Sequence, residues 1–442
     1  MNDIKVLIIG SGGREHALAD IYSKSKKVKK VFVAPGNGLM GAGDTKIQTF
    51  PAVKSTDFEK ILELAQKIKA DLIDVAQDDP ISLGFVDKLT KKGFKCFGPT
   101  QKASEIEWNK DWARNFMQKY NLPIPFFKSF KNQQQAIDYV KSRRDETLFI
   151  KASGLAAGKG AIRTENKDEA IEAIKSMIQF GKSGETFLIE ECMIGEEFSL
   201  FVICDGKNYV IAKGAQDHKT VYDKDQGANT GGMGCVTHAL VISEEIIKET
   251  EKKIIKPFLK GMEKEGRTYS GILYVGGMLT NPSAGGVVKI VEFNARWGDP
   301  EAEVILPSIK TDYFNIVDAV INKKLNKINI RFDDKTRISI AGCSYGYPDD
   351  YSSVKGKEIY GLESLIKSNN VKIFGAGIKR DGEKFFANGG RIFHLVADGK
   401  NIIEARKKAY KTMSTIYVEG NNLHYRTDIG WRDVERLTRN GN

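Results

Sequence analysis

Over roughly the first hundred residues, short apolar runs alternate with helix-period segments, and this constrains the fold more than any other feature. IKVLIIG (4–10), KVFVA (30–34), ADLIDVA (70–76) and FKCFG (94–98) are each too short for a helix and rich in β-branched or aromatic residues. Between them, Phe58, Ile61, Leu62, Ala65 and Ile68 recur at helical spacing, and Thr56 with Glu59 reads as a capping box at that helix's start. Such alternation builds a parallel sheet covered by helices, with ligands at the carboxyl ends of the strands. The first of those ends reads Gly10-Ser11-Gly12-Gly13-Arg14-Glu15-His16. A dinucleotide fingerprint would need glycine at Glu15 and an acidic residue after the second strand, where the chain has Ala34-Pro35-Gly36-Asn37-Gly38. The pattern therefore argues against a nicotinamide cofactor. A glycine turn that opens a helix and is followed by arginine still suits a phosphate, the alternative being a plain strand-to-helix turn.

At 442 residues the chain is too long for one core. The stretch 98–125 reads as a connection and helix leading into a second region of mixed strands and helices. From about 330 follows a third segment of strands and one helix. The five cysteines form no CxxC pair and the five histidines show no metal-ligand spacing, so a reducing compartment without a zinc site is expected. No window approaches the length of uncharged apolar sequence a membrane span needs, and the first apolar run is expected to be a strand, not a signal peptide. A net charge of +11 is spread along the chain without a nucleic-acid motif, which favours small phosphorylated substrates over nucleic acid.

KASGLAAGKGA (151–161) combines Gly154, Gly158 and Gly160 with Lys151 and Lys159, an anion cradle of accessible main-chain N–H groups and ammonium charges. It is not a Walker loop, because Gly154 and Gly158 are too close together and Lys159 precedes glycine where serine or threonine is needed. Further along, Glu190 and Glu191 end one strand ahead of Gly195-Glu196-Glu197. Near the end of another, Glu292, Asn294 and Arg296 alternate onto one face, followed by Asp299. A carboxylate beside an amide oxygen suits Mg²⁺, and an arginine just beyond suits charge on a transferring phosphoryl group or tetrahedral intermediate. A charged edge strand is the plainer alternative.

In this order the motifs resemble the ATP-grasp superfamily and, within it, the glycinamide ribonucleotide synthetase family. GSGGREHAL (10–18), VAPGN (33–37), FGPT (97–100), KASGLAAGKG (151–160), QDHK (216–219), NTGGMG (229–234), EFNARWGDPE (292–301), NGGR (388–391) and DIGWR (428–432) each match a family signature. The resemblance implies an α/β and α+β multidomain fold. Its parts would be an N-terminal parallel-sheet, Rossmann-like pre-ATP-grasp domain (1–103), an ATP-grasp domain (104–325, with a lid subdomain over 123–193) and a C-terminal mixed β/α domain (326–442). It implies a ligase in which ATP activates glycine as an acyl phosphate and 5-phosphoribosylamine attacks it, in purine biosynthesis. Another carboxylate–amine ligase with a changed amine substrate is the alternative.

By the same resemblance, Lys110 and Lys151 contact ATP phosphates, with Gly154, Gly158, Lys159 and Gly160 in the lid. Glu190, Glu191, Cys192 and Met193 grip adenine, and Glu197 the ribose. Glu292 and Asn294 hold Mg²⁺ (or Mn²⁺), and Arg296 and Asp299 handle the acyl phosphate and glycine, with Lys219 as a further catalytic candidate. Gly12, Gly13, Arg14, Glu15, Asp217, Lys219, Asn229, Thr230, Gly231 and Gly232 receive the amine substrate. His218 invites a general-base role, against an equally good reading as a structural hydrogen bond, and Trp297 reads as packing. The implied partners are small molecules, with neither nucleic acid nor membrane, and the implied protein is a cytoplasmic monomer or homodimer. The chain departs from the family pattern at Ala76-Gln77-Asp78-Asp79, where Gly-Pro-Glu is usual, and at Trp297 and Thr220.

Overall fold

A computed structural model describes residues 3–156, 160–281, 286–368 and 370–440. The four apolar runs near the N-terminus form one parallel sheet, ordered Ile47–Thr49, Val28–Pro35, Ile4–Gly10, Leu72–Val75, Cys96–Phe97. The edge strand Ile47–Thr49 was not foreseen, since three residues carry no periodicity. Alternation along Ile4–Gly10 sends Val6 and Ile8 to one face and Leu7 and Ile9 to the other. Leu7 and Ile9 meet Ile61, Leu62 and Ala65 of helix Phe58–Ile68. That helix is capped by Asp57, whose carboxylate accepts from the Lys60 N–H at 3.2 Å, not by the expected box on Thr56 and Glu59. Aspartate caps at least as well as threonine and stands one residue closer to the first turn.

The expected connecting helix is two helices, Gln101–Trp108 and Lys110–Lys119, broken at Asn109, whose side chain accepts from the Trp112 N–H at 3.0 Å. A four-stranded antiparallel sheet follows, ordered Phe127–Phe130, Phe187–Glu191, Leu148–Ala152, Ala161–Thr164. Helices Gln133–Ser142 and Lys167–Ser176 share its core. The large sheet runs Val287–Asn294, Ser270–Thr280, Gly195–Asp205, Tyr209–Asp217, Gly234–Thr237, Thr336–Ser344, Arg391–Gly399, Val371–Gly375. It crosses from the central to the C-terminal region without a break, because Gly234–Thr237 pairs antiparallel with Thr336–Ser344. The C-terminal region contains two long helices where one was expected, Ile402–Met413 and Trp431–Asn440. No described helix is long and apolar enough to cross a membrane.

One core position breaks the apolar rule. Asp74, in the strand Leu72–Val75, is only 2% exposed, and its Oδ2 accepts from the Tyr22 hydroxyl at 2.8 Å. Burial raises its carboxyl to about 7, against a smaller lowering by the Tyr22 hydrogen bond. The folded chain thus holds a proton here that the unfolded chain releases above about pH 3.8, so stability falls as pH climbs from there to about 7. Asp74→Asn, which keeps the acceptor, is expected to stabilise the protein near pH 8 by up to about 4 kcal/mol and to do nothing near pH 3. Thermal melts at the two pH values check this, and equal effects at both would refute it. Nearby, buried Trp297 donates its indole N–H to the Tyr313 hydroxyl at 3.0 Å and packs on Phe201, as a packing residue should.

Candidate active site

The strand Val287–Asn294 carries the expected metal ligands and is bulged beside them. Glu292 faces Gly276 while Ile290 faces Gly277, so Val291 is an extra residue that re-aims the rest of the strand. The expected trio does converge. Asn294 Nδ2 lies 3.4 Å from Glu292 Oε1, and Arg296 Nη2 donates to Asn294 Oδ1 at 3.1 Å. Burial alone would raise the Glu292 carboxyl, but Lys219, Lys110, Lys151 and Arg296 outweigh it and hold it at about 2. A carboxylate and an amide oxygen on one strand are hard donors of the kind Mg²⁺ or Mn²⁺ takes, although here the amide nitrogen faces Glu292 and the oxygen accepts from Arg296. The surplus of ammonium and guanidinium charge around it suits phosphate oxygens.

Most of those cations are anchored by acids of their own. Lys151 Nζ meets Glu190 at 2.7 Å, Lys219 Nζ meets Glu197 at 2.7 Å, and Arg296 Nη2 meets Glu107 at 2.8 Å. Lys110, Lys151, Glu190 and Glu292 line one cleft with Glu107 and Arg114. The resemblance puts Glu190 among the residues that grip adenine; in the structure its carboxylate is engaged by two cations. Its two oxygens bind Arg114 at 2.6 and 2.9 Å, and the carboxyl, 2% exposed, is held at about 2 against its burial by Arg114 and Lys151. Half-buried Glu191 instead stands at the strand end, 2.9 Å from Lys289, and its N–H donates to the Phe126 carbonyl at 3.0 Å. Cys192 and Met193 continue from it towards the strand Gly195–Asp205.

Of the glycine loop, the flanks are placed: the Gly154 N–H donates to Ser183 O at 3.0 Å and the Ala152 N–H to Gly160 O at 2.7 Å. Gly158 and Lys159 lie outside the described residues.

On the other side of Glu292, Asp217, His218 and Lys219 close the strand Tyr209–Asp217, ahead of a small hairpin ending at Asn229. The Thr230 N–H and hydroxyl both bind Lys219 O at 2.7 Å, and the Gly232 N–H binds the Thr230 hydroxyl at 2.9 Å. A side chain at Gly232 would lie 2.7 Å from Asp217 Oδ1, so glycine lets the loop close on that carboxylate. His218 is structural: its Nε2 accepts from the Gly430 N–H at 3.1 Å, and burial, reinforced by Arg426, lowers it to about 3. Both observations favour the reading as a structural hydrogen bond.

The glycine turn after the first strand already holds an anion of its own. The Gly12 N–H donates to Glu15 Oε2 at 2.7 Å, Arg14 Nε pairs with Glu15 Oε1 at 2.5 Å, and Arg14 Nη1 donates to Trp297 O at 3.1 Å. Gly13 follows as the first residue of helix Gly13–Ser23. The turn therefore reaches the Arg296 and Asp299 segment through Arg14. Sequence reasoning passed over Glu107, Arg114 and Arg391. Arg391 Nη1 donates to Gly231 O at 2.7 Å and to Asp299 O at 3.0 Å, tying two signatures together. Its own signature, NGGR, was the available signal.

Three consecutive stretches match the phosphoribosylglycinamide synthetase family descriptions: the N domain over 4–107, the ATP-grasp (A) domain over 108–302 and the C domain over 338–432. A phosphoribosylamine–glycine ligase of Caldanaerobacter subterraneus is 39% identical over 432 residues, covering 96% of this chain and 99% of the relative. The trifunctional purine biosynthetic protein adenosine-3 of Gallus gallus is 39% identical over 438 residues, and there the match spans 98% of this chain but 43% of the relative. Among solved structures, a phosphoribosylamine–glycine ligase of Thermotoga maritima superposes with a TM-score of 0.79 at 31% identity, covering 96% of this chain and 100% of the other. The biotin carboxylase domain of a Hydrogenobacter thermophilus 2-oxoglutarate carboxylase reaches a TM-score of 0.72 at 15% identity, which shows a shared fold only.

Proposed function

This chain belongs to the phosphoribosylglycinamide synthetase family, and on that premise we propose that it joins glycine to 5-phosphoribosylamine, with ATP as the phosphoryl donor, in purine biosynthesis. The observation that carries the reading is geometric: half-buried Glu292 lies beside Asn294 and Arg296 and lines one cleft with Lys110 and Lys151. A site of that composition is arranged for a polyphosphate and a divalent cation together.

When bound, Mg²⁺ or Mn²⁺ neutralises phosphate charge, and Glu292 and Asn294 are the residues to hold it. Lys110 and Lys151 take phosphate oxygens, Lys151 being steadied by Glu190 and through it by Arg114. Glu191, Cys192 and Met193 line the adenine hinge, and Glu197 the ribose. A glycine carboxylate oxygen then attacks the γ-phosphorus and ADP leaves. Arg296, fixed by Glu107, faces the charge that develops there. The amine nitrogen next attacks the acyl carbon, the C–O bond to phosphate breaks, and nitrogen loses a proton, giving glycinamide ribonucleotide. Arg14, Asp217, Lys219 and the loop Asn229, Thr230, Gly231 and Gly232 surround the place where that amine enters. In this reading the protein works in the cytoplasm as a monomer or homodimer on small molecules, without nucleic acid or membrane.

ADP release with Mg²⁺, ATP, glycine and freshly made phosphoribosylamine tests it. Release is expected only when both glycine and the amine are present, and release indifferent to either would refute the assignment. Lys151→Ala is expected to weaken ATP binding by about 2 kcal/mol, roughly thirtyfold, the worth of a hydrogen bond to a charged group. Glu190 keeps Arg114 in that variant, so the fold persists, and an unchanged nucleotide Kd would refute the role of Lys151.

A further inference from the structure

Behind Asp299 lies a group of buried side chains that the reaction steps leave unused. His394, on the strand Arg391–Gly399, and Glu303, in the short helix Glu301–Ile305, are both 0% exposed. His394 Nε2 stands 3.4 Å from Asp299 Oδ1 and 3.8 Å from Glu303 Oε1. Neither Glu303 oxygen has a hydrogen-bond partner among the described residues. Helix Gly13–Ser23 closes the group from the N-terminal region. A Cβ at Gly13 would lie 2.2 Å from Glu303 Oε1 and 2.7 Å from His394 Cδ2, so only glycine admits this approach. Asp299 thus has two different sides. Its Oδ1, buried and without a hydrogen bond among the described residues, stands 2.9 Å from Arg391 Nη2 and 3.4 Å from His394 Nε2, while its Oδ2 points to the glycine turn, 3.5 Å from the Arg14 N.

Three ligand-type atoms this close invite a cation, but the Arg391 guanidinium already stands 2.9 Å from Asp299 Oδ1, and Arg14 with the N-terminal end of its helix adds positive potential. A proton satisfies the group at less cost than a second positive ion. We propose that His394 and Glu303 are positioning residues for Asp299, His394 presenting Nε2–H and Glu303 a neutral carboxyl to its Oδ1 side, so that Oδ2 is delivered to the substrates. Burial and then Asp299 push the Glu303 carboxyl well above its ordinary range, and burial holds His394 below its own. Arg391 keeps the Asp299 carboxyl low despite burial. The other groups facing the cluster are Glu301 on the same short helix, Arg14, Asp217, Cys235 and Ser339, whose hydroxyl lies 3.5 Å from His394 Nδ1. The negative charge on Asp299 is matched by Arg391. Neither His394 nor Glu303 touches substrate, and both act through Asp299.

The inference rests on the ligase reading, and its test is built to fail separately. Glu303→Leu is expected to lower kcat/KM for glycine about tenfold, the usual effect of removing a group that orients a functional side chain. KM for ATP should stay within about twofold in that variant, and Glu303→Gln, neutral and hydrogen-bonding, should recover most of the loss. A drop in Tm with unchanged glycine kinetics would overturn the proposal, as would Glu303→Gln behaving like Glu303→Leu. Independently of activity, the imidazole ¹⁵N spectrum, with His394 assigned through His394→Gln, should show a neutral Nε2–H tautomer. An imidazolium, or stoichiometric metal in the purified protein that His394→Gln removes, would overturn it too.

Discussion

Glu292→Gln is expected to lower kcat by about a thousandfold or more, roughly 4 kcal/mol of transition-state stabilisation, while the protein stays folded. The catalytic loss follows from removing the one carboxylate towards which Lys110, Lys151, Lys219 and Arg296 all converge. Without it the divalent cation loses its charged protein ligand, and the neighbouring cations lose the charge that balances them when phosphate is absent. Folding survives for a reason visible in the pairs around it. Lys151, Lys219 and Arg296 keep Glu190, Glu197 and Glu107 at ion-pair distance, and Lys110 keeps Glu107 and Glu190 nearby. ADP release and a denaturation curve check both halves. Activity within tenfold of the parent would sink the metal assignment.

Glu190→Gln is expected to act the other way round, on stability first. Arg114 is 3% exposed, and Glu190 is its only acidic contact at salt-bridge distance among the described residues. Leaving a buried guanidinium with a neutral partner costs about 3–5 kcal/mol. The effect carries a pH signature. The Glu190 carboxyl is depressed from 4.5 to about 2 in the folded chain, so its stabilisation is present above about pH 4.5 and is lost as pH falls through 2. The gap in Tm between parent and variant should therefore be full near neutrality and should close on acidification across that window. A gap independent of pH would show that the loss is one of packing, not of charge. The same variant should also weaken ATP binding, because Lys151 loses the oxygen that aims its ammonium.

The parts of this molecule that sequence made legible are those where the signal is local. The parallel sheet could be read because each strand is a run of apolar residues with its own turn. Glu292, Asn294 and Arg296 could be read because alternation along a strand places them together. Ile47–Thr49 could not, being three residues of no pattern, and Asp57 displaced Thr56 as a cap because two good capping residues stood side by side. The bulge at Val291 is set by the partner strand, which leaves no mark at position 291 itself. What Glu190 binds could not be read either, for a similar reason. Its partner Arg114 lies 76 residues away on a helix, and nothing near either residue announces the pairing. The neutral role of His218 likewise depends on Gly430, 212 residues downstream.

Continuity of the large sheet across the central and C-terminal regions has a further consequence, for what this chain can survive losing. Gly234–Thr237 is interior only because Thr336–Ser344 lies beside it. Deleting everything beyond residue 330 would bare a row of unpaired N–H and C=O groups along an apolar strand that carries Cys235 and Val236. Such a fragment is expected to come out of the cell insoluble, joined edge to edge with its own copies, although every residue proposed to contact the nucleotide would still be present in it.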